Sequence, residues 1–140
     1  MVKKNIEIIK KGDEILAIII PADFHSEGTK FFTPPDFSQQ LAFISRKAGE
    51  VIKAHVHNIV TRDIHFTREV LLIKKGKIKV NFYDSKKKYF DFKILEAGDI
   101  ILLASGGHGF EFLEDTEMVE VKQGPYLGEG DKTKFKGIEK

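Results

Sequence analysis

At 140 residues the chain is long enough for one domain with a real core and short for two. Its 23 basic and 21 acidic side chains leave a formal net charge of +2, which makes no electrostatic case for nucleic-acid binding. With no cysteine there is neither a disulfide framework nor a thiolate zinc site, and the apolar run Ile15 to Ile20 is far too short to cross a bilayer. The opening residues, MVKKNIEIIKKGDE, lack the apolar core of a signal peptide, so a cytoplasmic protein is expected.

Ile6 to Ile9 and Ile15 to Ile20 flank KKGDE and read as two strands joined by a tight turn. Pro21 stops the second, and the stretch to Phe37, with Gly28, Pro34 and Pro35, reads as an irregular loop that holds His25. Gln39 to Arg46 alternates like a strand, and Lys47-Ala48-Gly49 turns into a strand carrying His55 and His57. Two residues apart on a strand, these histidines project from one face, about 7 Å apart along the backbone, near enough for both imidazoles to converge on one ion.

Glu69 opens the apolar run EVLLI, and a carboxylate that starts a core strand needs a partner. The partner expected is a divalent transition metal held by His55, His57, Glu69 and His108. Gly76 turns the chain into Lys77 to Tyr83, where Ile78, Val80 and Phe82 share a face. Asp84 to Lys88 makes the next turn, into Tyr89 to Leu95. Glu96 to Asp99 leads into Ile100 to Leu103, and Ser105 to Gly109 reads as a glycine-rich bend that lets His108 point inward.

Phe110 to Leu113 and Met118 to Lys122 form a last predicted hairpin, with Val119 and Val121 in the core and Glu120 and Lys122 either an exposed pair, the favoured reading, or reaching the barrel mouth. The remaining stretch keeps Tyr126, Leu127 and Phe135, enough apolar surface to lie along the fold. Short strands, regular turns and no useful helical period predict an all-β barrel or sandwich.

The segment Gly49 to Gly76 also resembles the first motif of the cupins, through Gly49-x5-His55-x-His57 and Glu69-x6-Gly76; eleven residues separate His57 from Glu69 where the family has three or four. Gly98, Ala104, Gly106 and His108 resemble the second motif, with Ala104 in the proline's place and the histidine one residue early. A rival alignment takes His65-x3-Glu69-x6-Gly76, with Asp63 at the first histidine position; the correct spacing of Gly49 favours the first.

The resemblance implies one cupin domain over residues 1–140, with a double-stranded β-helix (jelly-roll barrel) at about 40–125 and the opening hairpin and final stretch packed on it. It also implies a metal in the barrel mouth and often a homodimer. Because the fold serves many activities, chemistry must be read from the site. The ligand set suits Fe, Mn, Ni, Co or Zn.

A first reading is an isomerase or epimerase for a small oxygen-rich molecule such as a sugar or sugar phosphate, with His65 as candidate base and Arg62 as anion holder. A second is an Fe(II) dioxygenase, and a third a non-catalytic module that binds metal or a small ligand. A metal-free epimerase with a histidine base stays open beside them. No membrane and no nucleic-acid partner is expected.

Overall fold

The computed structural model describes residues 4–139. Among them the strands are β1 (Glu7–Lys11), β2 (Glu14–Ile20), β3 (Gly28–Phe31), β4 (Ala42–Ser45), β5 (Glu69–Lys75), β6 (Lys77–Tyr83), β7 (Tyr89–Glu96), β8 (Ile100–Leu103), β9 (Gly107–Phe112) and β10 (Glu117–Lys122), with one 3-10 turn at Gly128–Asp131. The protein is therefore nearly all β, in three sheets, none of which closes into a barrel. No helix among the described residues is long and apolar enough to cross a membrane. The chain packs as two compact units, one of Met1–Phe24 with Phe66–Lys140 and one of His25–His65.

In the larger unit a five-stranded sheet runs β1-β2-β8-β5-β10 and a three-stranded sheet runs β7-β6-β9, every pairing antiparallel. Both sheets contribute to one core. Ala17, Ile19, Leu71, Ile73, Ile101 and Leu103 come from the first, Ile78, Val80, Phe82 and Leu95 from the second. Burying a side chain of this size contributes about 1.5–3 kcal/mol, so a dozen of them outweigh any single polar contact described below.

Position within a sheet explains how each strand reads. Central strands β2 and β8 are buried on both faces, with Leu16 to Ile20 and Ile101 to Leu103 all inaccessible, which is why they appear in sequence as unbroken apolar runs. Edge strand β10 behaves differently. Its valines, Val119 and Val121, are 52% and 53% exposed, while Met118 on the other face packs against the core. The expectation that the valines are core is thus corrected, because alternation tells which residues share a face and not which face is covered.

The expected bend at Ser105 to Gly109 is present but shorter, at Ser105 and Gly106, where Gly106 has φ 70°. Gly107, His108 and Gly109 belong to strand β9, paired with Tyr83, Phe82 and Asn81 of β6. Glycine weakens a strand but does not forbid one where a neighbour supplies the hydrogen bonds.

The β6–β7 turn is built on Asp84, whose Oδ1 accepts the amide N–H groups of Lys86 and Lys88 at 2.9 and 3.0 Å. Lys11 closes an ion pair on Oδ2, and its hydrogen bond, with those amides, holds the Asp84 carboxyl at about 2. The β1–β2 and β6–β7 turns are thereby tied together.

The smaller unit holds the β3–β4 ribbon, with Gly28 opposite Ser45 and Phe31 opposite Ala42. The expected loop before Phe37 therefore contains a strand, and the expected strand at 39–46 shortens to Ala42–Ser45. Gln40 closes the connection, donating to the carbonyls of Pro34 and Phe37 at 2.9 and 2.8 Å. The expected His-x-His strand does not form: residues 51–65 carry no regular structure and are exposed throughout. A strand exists only through its partner, and β-prone residues without one remain extended chain.

Candidate functional site

Two chemically capable side chains meet at one end of the core. Glu69 is the first residue of β5, on the face that carries Leu71 and Ile73 inward. His108 is the second residue of β9, directly opposite Phe82, and so shares the inner face of the other sheet. Two residues 39 positions apart, one from each sheet, thus bring His108 Nε2 to 2.7 Å from Glu69 Oε1, with side chains only 29% and 15% exposed. The Phe110 ring lies 5.4 Å from the imidazole and forms an apolar wall beside it.

A second carboxyl joins them. Glu120 follows Met118 by two residues on β10, so it projects from the same inward face, and it shares a hydrogen bond with Glu69. Lys122 stands opposite Glu69 in the β5–β10 register, with its Nζ 3.9 Å from Glu120 Oε2. The hydrogen bond from His108 is the main cause that holds the Glu69 carboxyl at about 2, against its burial, which acts in the opposite sense. Glu120 is pushed up from its ordinary value, first by the hydrogen bond it shares with Glu69 and then by burial. The proton affinities of the two carboxyls are therefore driven apart, Glu69 downward and Glu120 upward.

The linkage has a definite sign. Glu69 titrates near 4.5 when unfolded and at about 2 when folded, so its contribution is complete above pH 4.5 and lost as pH falls toward 2. Glu120 works oppositely and offsets part of it. Allowing for solvent screening, the stability lost over this window is on the order of 1–2 kcal/mol. Urea unfolding at a series of pH values is expected to show a larger loss in the wild type than in Glu69→Gln, which keeps the contribution of Asp84.

The other expected residues lie in the smaller unit. His55 and His57 have their rings 5.3 Å apart in an edge-on arrangement, both exposed, with His55 Nδ1 2.8 Å from the Lys53 carbonyl. His65 pairs with its neighbour Asp63 at 3.2 Å, the two side chains 74% and 90% exposed, and Arg62 is exposed. Among the described residues, no three His, Cys, Asp or Glu side chains gather as a ready-made metal cluster.

The Glu69–His108 pair itself fits two positions on one ion. Neighbouring ligands of a six-coordinate ion held at about 2.1 Å stand about 3 Å apart, and the observed N···O separation of 2.7 Å is within a few tenths of that. The donors, an imidazole and a carboxylate, suit a borderline transition metal, which would take the place of the hydrogen bond between them.

Glu120 and Lys122 form the exposed pair read from the sequence, 3.9 Å apart with the Glu120 side chain 46% exposed; what the sequence did not show is that Glu120 also reaches Glu69. A hollow of about 430 Å³ between the β1–β2 and β6–β7 turns, lined by Lys11, Glu14, Asp84 and Lys86 among others, shares no residue with this site. It is open, and Lys11 and Asp84 in its wall are already paired with each other, so the inner-face pair is the stronger candidate. Comparison with protein-family models, with curated proteins and with solved structures finds no match for the chain.

Proposed function

We propose that this protein binds a divalent transition metal through Glu69 and His108, with His55 and His57 as the further ligands read from the sequence, and acts on a small oxygen-rich molecule. The reading includes the cupin-type jelly roll and homodimer that the two motifs suggest. The observation that carries it is the Glu69–His108 approach at 2.7 Å, between a half-buried imidazole and a carboxylate held ionised. A carboxylate in that setting is a ligand before it is a base, since it has little affinity for a proton near neutral pH.

Bound there, such an ion would supply Lewis acidity to adjacent oxygens of a sugar or sugar phosphate. Glu120, with its raised affinity for a proton, would stand beside the reacting oxygen as the acid. Lys122 would offer a positive charge to an anionic substrate. Phe110 would keep water from one side of the imidazole. In this scheme His65 and Arg62 would act, as read from the sequence, as base and anion holder. Fe(II)-dependent oxygenation draws on the same ligands and differs in consuming oxygen.

A metal-free reading is favoured by the approach of Glu120 to Glu69, which lowers the proton affinity of one carboxyl and raises that of the other. Two carboxyls with affinities driven apart form an acid–base pair without an ion.

Elemental analysis of untagged protein decides between them, because a polyhistidine tag would contribute metal of its own. Near-stoichiometric Fe, Mn, Ni, Co or Zn is expected. Protein that stays metal-free after reloading would overturn the ligand assignment in favour of acid–base chemistry at Glu69, Glu120 and His108.

A further inference from the structure

His108 stands on an insecure strand. β9 lies at the edge of its sheet, in the order β7-β6-β9, and is paired on one side only, with β6. Its first and third residues are glycines, which give up the side-chain packing that steadies a strand, at a cost of about 0.5–1 kcal/mol each. Left to itself, such a strand would hold its histidine loosely.

The face of β9 that points away from the core is covered by residues 135–139. A Cβ on Gly107 would lie 2.9 Å from Cζ of Phe135, and one on Gly109 would fall onto the Glu139 carboxyl. The two glycines that flank His108 are thus the places where this segment rests on the strand's backbone. Its anchors are two buried β6 residues on the same outer face, Asn81 at 0% and Tyr83 at 2% exposure.

Glu139 Oε2 accepts the Tyr83 hydroxyl proton at 2.6 Å and an Asn81 amide proton at 2.7 Å, while the Ile138 N–H donates to the Tyr83 oxygen at 2.8 Å. The Phe135 ring meets Tyr83 edge-on at 5.0 Å. Bonds to a carboxylate are the strong kind, and both donors here are buried.

We propose that residues 135–139 form a strap that fixes β9 from behind, with Glu139 as the positioning residue that sets His108 against Glu69. The strap clamps β9 onto β6 through Asn81 and Tyr83, the β6 residues that pair with Gly109 and Gly107. His108 projects from between these two clamped points toward a carboxylate in the other sheet. A shift of β9 by about 1 Å is enough to carry the 2.7 Å bond beyond hydrogen-bonding range. Insofar as the inference concerns metal affinity, it rests on the function proposed above; insofar as it concerns the Glu69–His108 bond, it stands without it.

The test uses the full-length protein and four variants: Glu139→Ala, Glu139→Gln, Tyr83→Phe and, as a remote core control, Ile19→Val. Two quantities are read well below the melting temperature: affinity for Co(II) alone, and the ¹⁵N resonances of the His108 imidazole, which report its hydrogen bond. Glu139→Ala is expected to weaken Co(II) binding by about ten-fold or more, the scale seen when a ligand loses its outer support. It is also expected to move the His108 resonances toward those of a solvated imidazole.

Glu139→Gln, which keeps an oxygen to accept from Asn81 and Tyr83, should recover most of both, and Tyr83→Phe should fall between. Ile19→Val should lower the melting temperature and change neither. If Glu139→Ala and Tyr83→Phe lose thermal stability but keep wild-type Co(II) affinity and His108 resonances, the strap is only structural and the proposal fails. If wild-type protein takes up no Co(II), the metal reading falls, and the resonances alone decide the strap.

Discussion

His108→Ala is expected to lower metal affinity by at least about 100-fold and to destabilise the fold by about 2–3 kcal/mol at neutral pH. The first figure follows because even outer-shell partners of a metal ligand are worth 10- to 100-fold, and a ligand itself is worth no less. The second is the cost of leaving a half-buried charged acceptor without its donor. Glu69 would lose the bond that is the main cause of its low affinity for protons, and would be left beside Glu120 with only Lys122 to offset the repulsion.

The penalty therefore has a pH signature. With His108 gone, Glu69 takes up a proton more readily and the carboxyl pair relaxes, so the gap between variant and wild type should narrow as pH falls below about 4.5. Urea unfolding at pH 7 and at pH 4, together with metal content, measures both effects. A variant as stable as wild type at pH 7 would show that the 2.7 Å contact contributes nothing to folding and would remove the main support for the site.

What sequence could and could not reveal here divides along a physical line. Glu69 at the head of EVLLI was legible as a group in need of a partner because burying a bare carboxylate is costly; the sequence reading gave it a metal, and in the structure it meets His108, one of the residues grouped with it. The turns at Gly76 and Gly98 were legible because tight reversals need residues free to adopt positive φ, and both have it, at 95° and 91°.

Strand identity at Gly107 to Gly109 was hidden. Its stability comes from β6 on one side and from Phe135 and Glu139 behind, all distant in sequence, and local preference for a bend could not register them. The face assignment of β10 failed for a similar reason. Met118-Val119-Glu120-Val121 alternates equally well with either set inward, and only its place at the sheet edge exposes the valines. The His-x-His stretch shows the converse, since residues 51–60 have strong β preference but no pairing partner among the described strands. The site was thus readable where a charge demanded a partner and obscure where geometry was set by neighbours.

Gly76→Ala is expected to be strongly destabilising, and Gly49→Ala is its built-in control. Both glycines have nearly the same backbone, φ 95° and φ 92°, so an alanine at either pays a similar penalty for a left-handed conformation, about 1–2 kcal/mol. Their surroundings differ. Nothing lies within 4 Å of a Cβ built on Gly49, whereas one on Gly76 would press on the Asp115 carbonyl and stand 2.6 Å from Thr116 Oγ1 and 2.8 Å from Thr116 Cα.

Two of those three atoms are backbone, and Thr116 is itself tied by its hydroxyl to the Lys77 and Glu114 carbonyls at 3.2 and 2.9 Å, so the neighbour cannot simply swing away. Overpacking of this kind adds about 1–3 kcal/mol, for a total of about 2–5 kcal/mol. The displaced connector also leads directly into β10, which carries Glu120, so its contact with Glu69 should weaken together with stability. In thermal unfolding Gly76→Ala should melt several degrees below Gly49→Ala, at about 2–4 °C per kcal/mol for a chain near this length. Equal melting temperatures would mean that backbone conformation alone accounts for both glycines, and that the connector is free to move away from the β5–β6 turn.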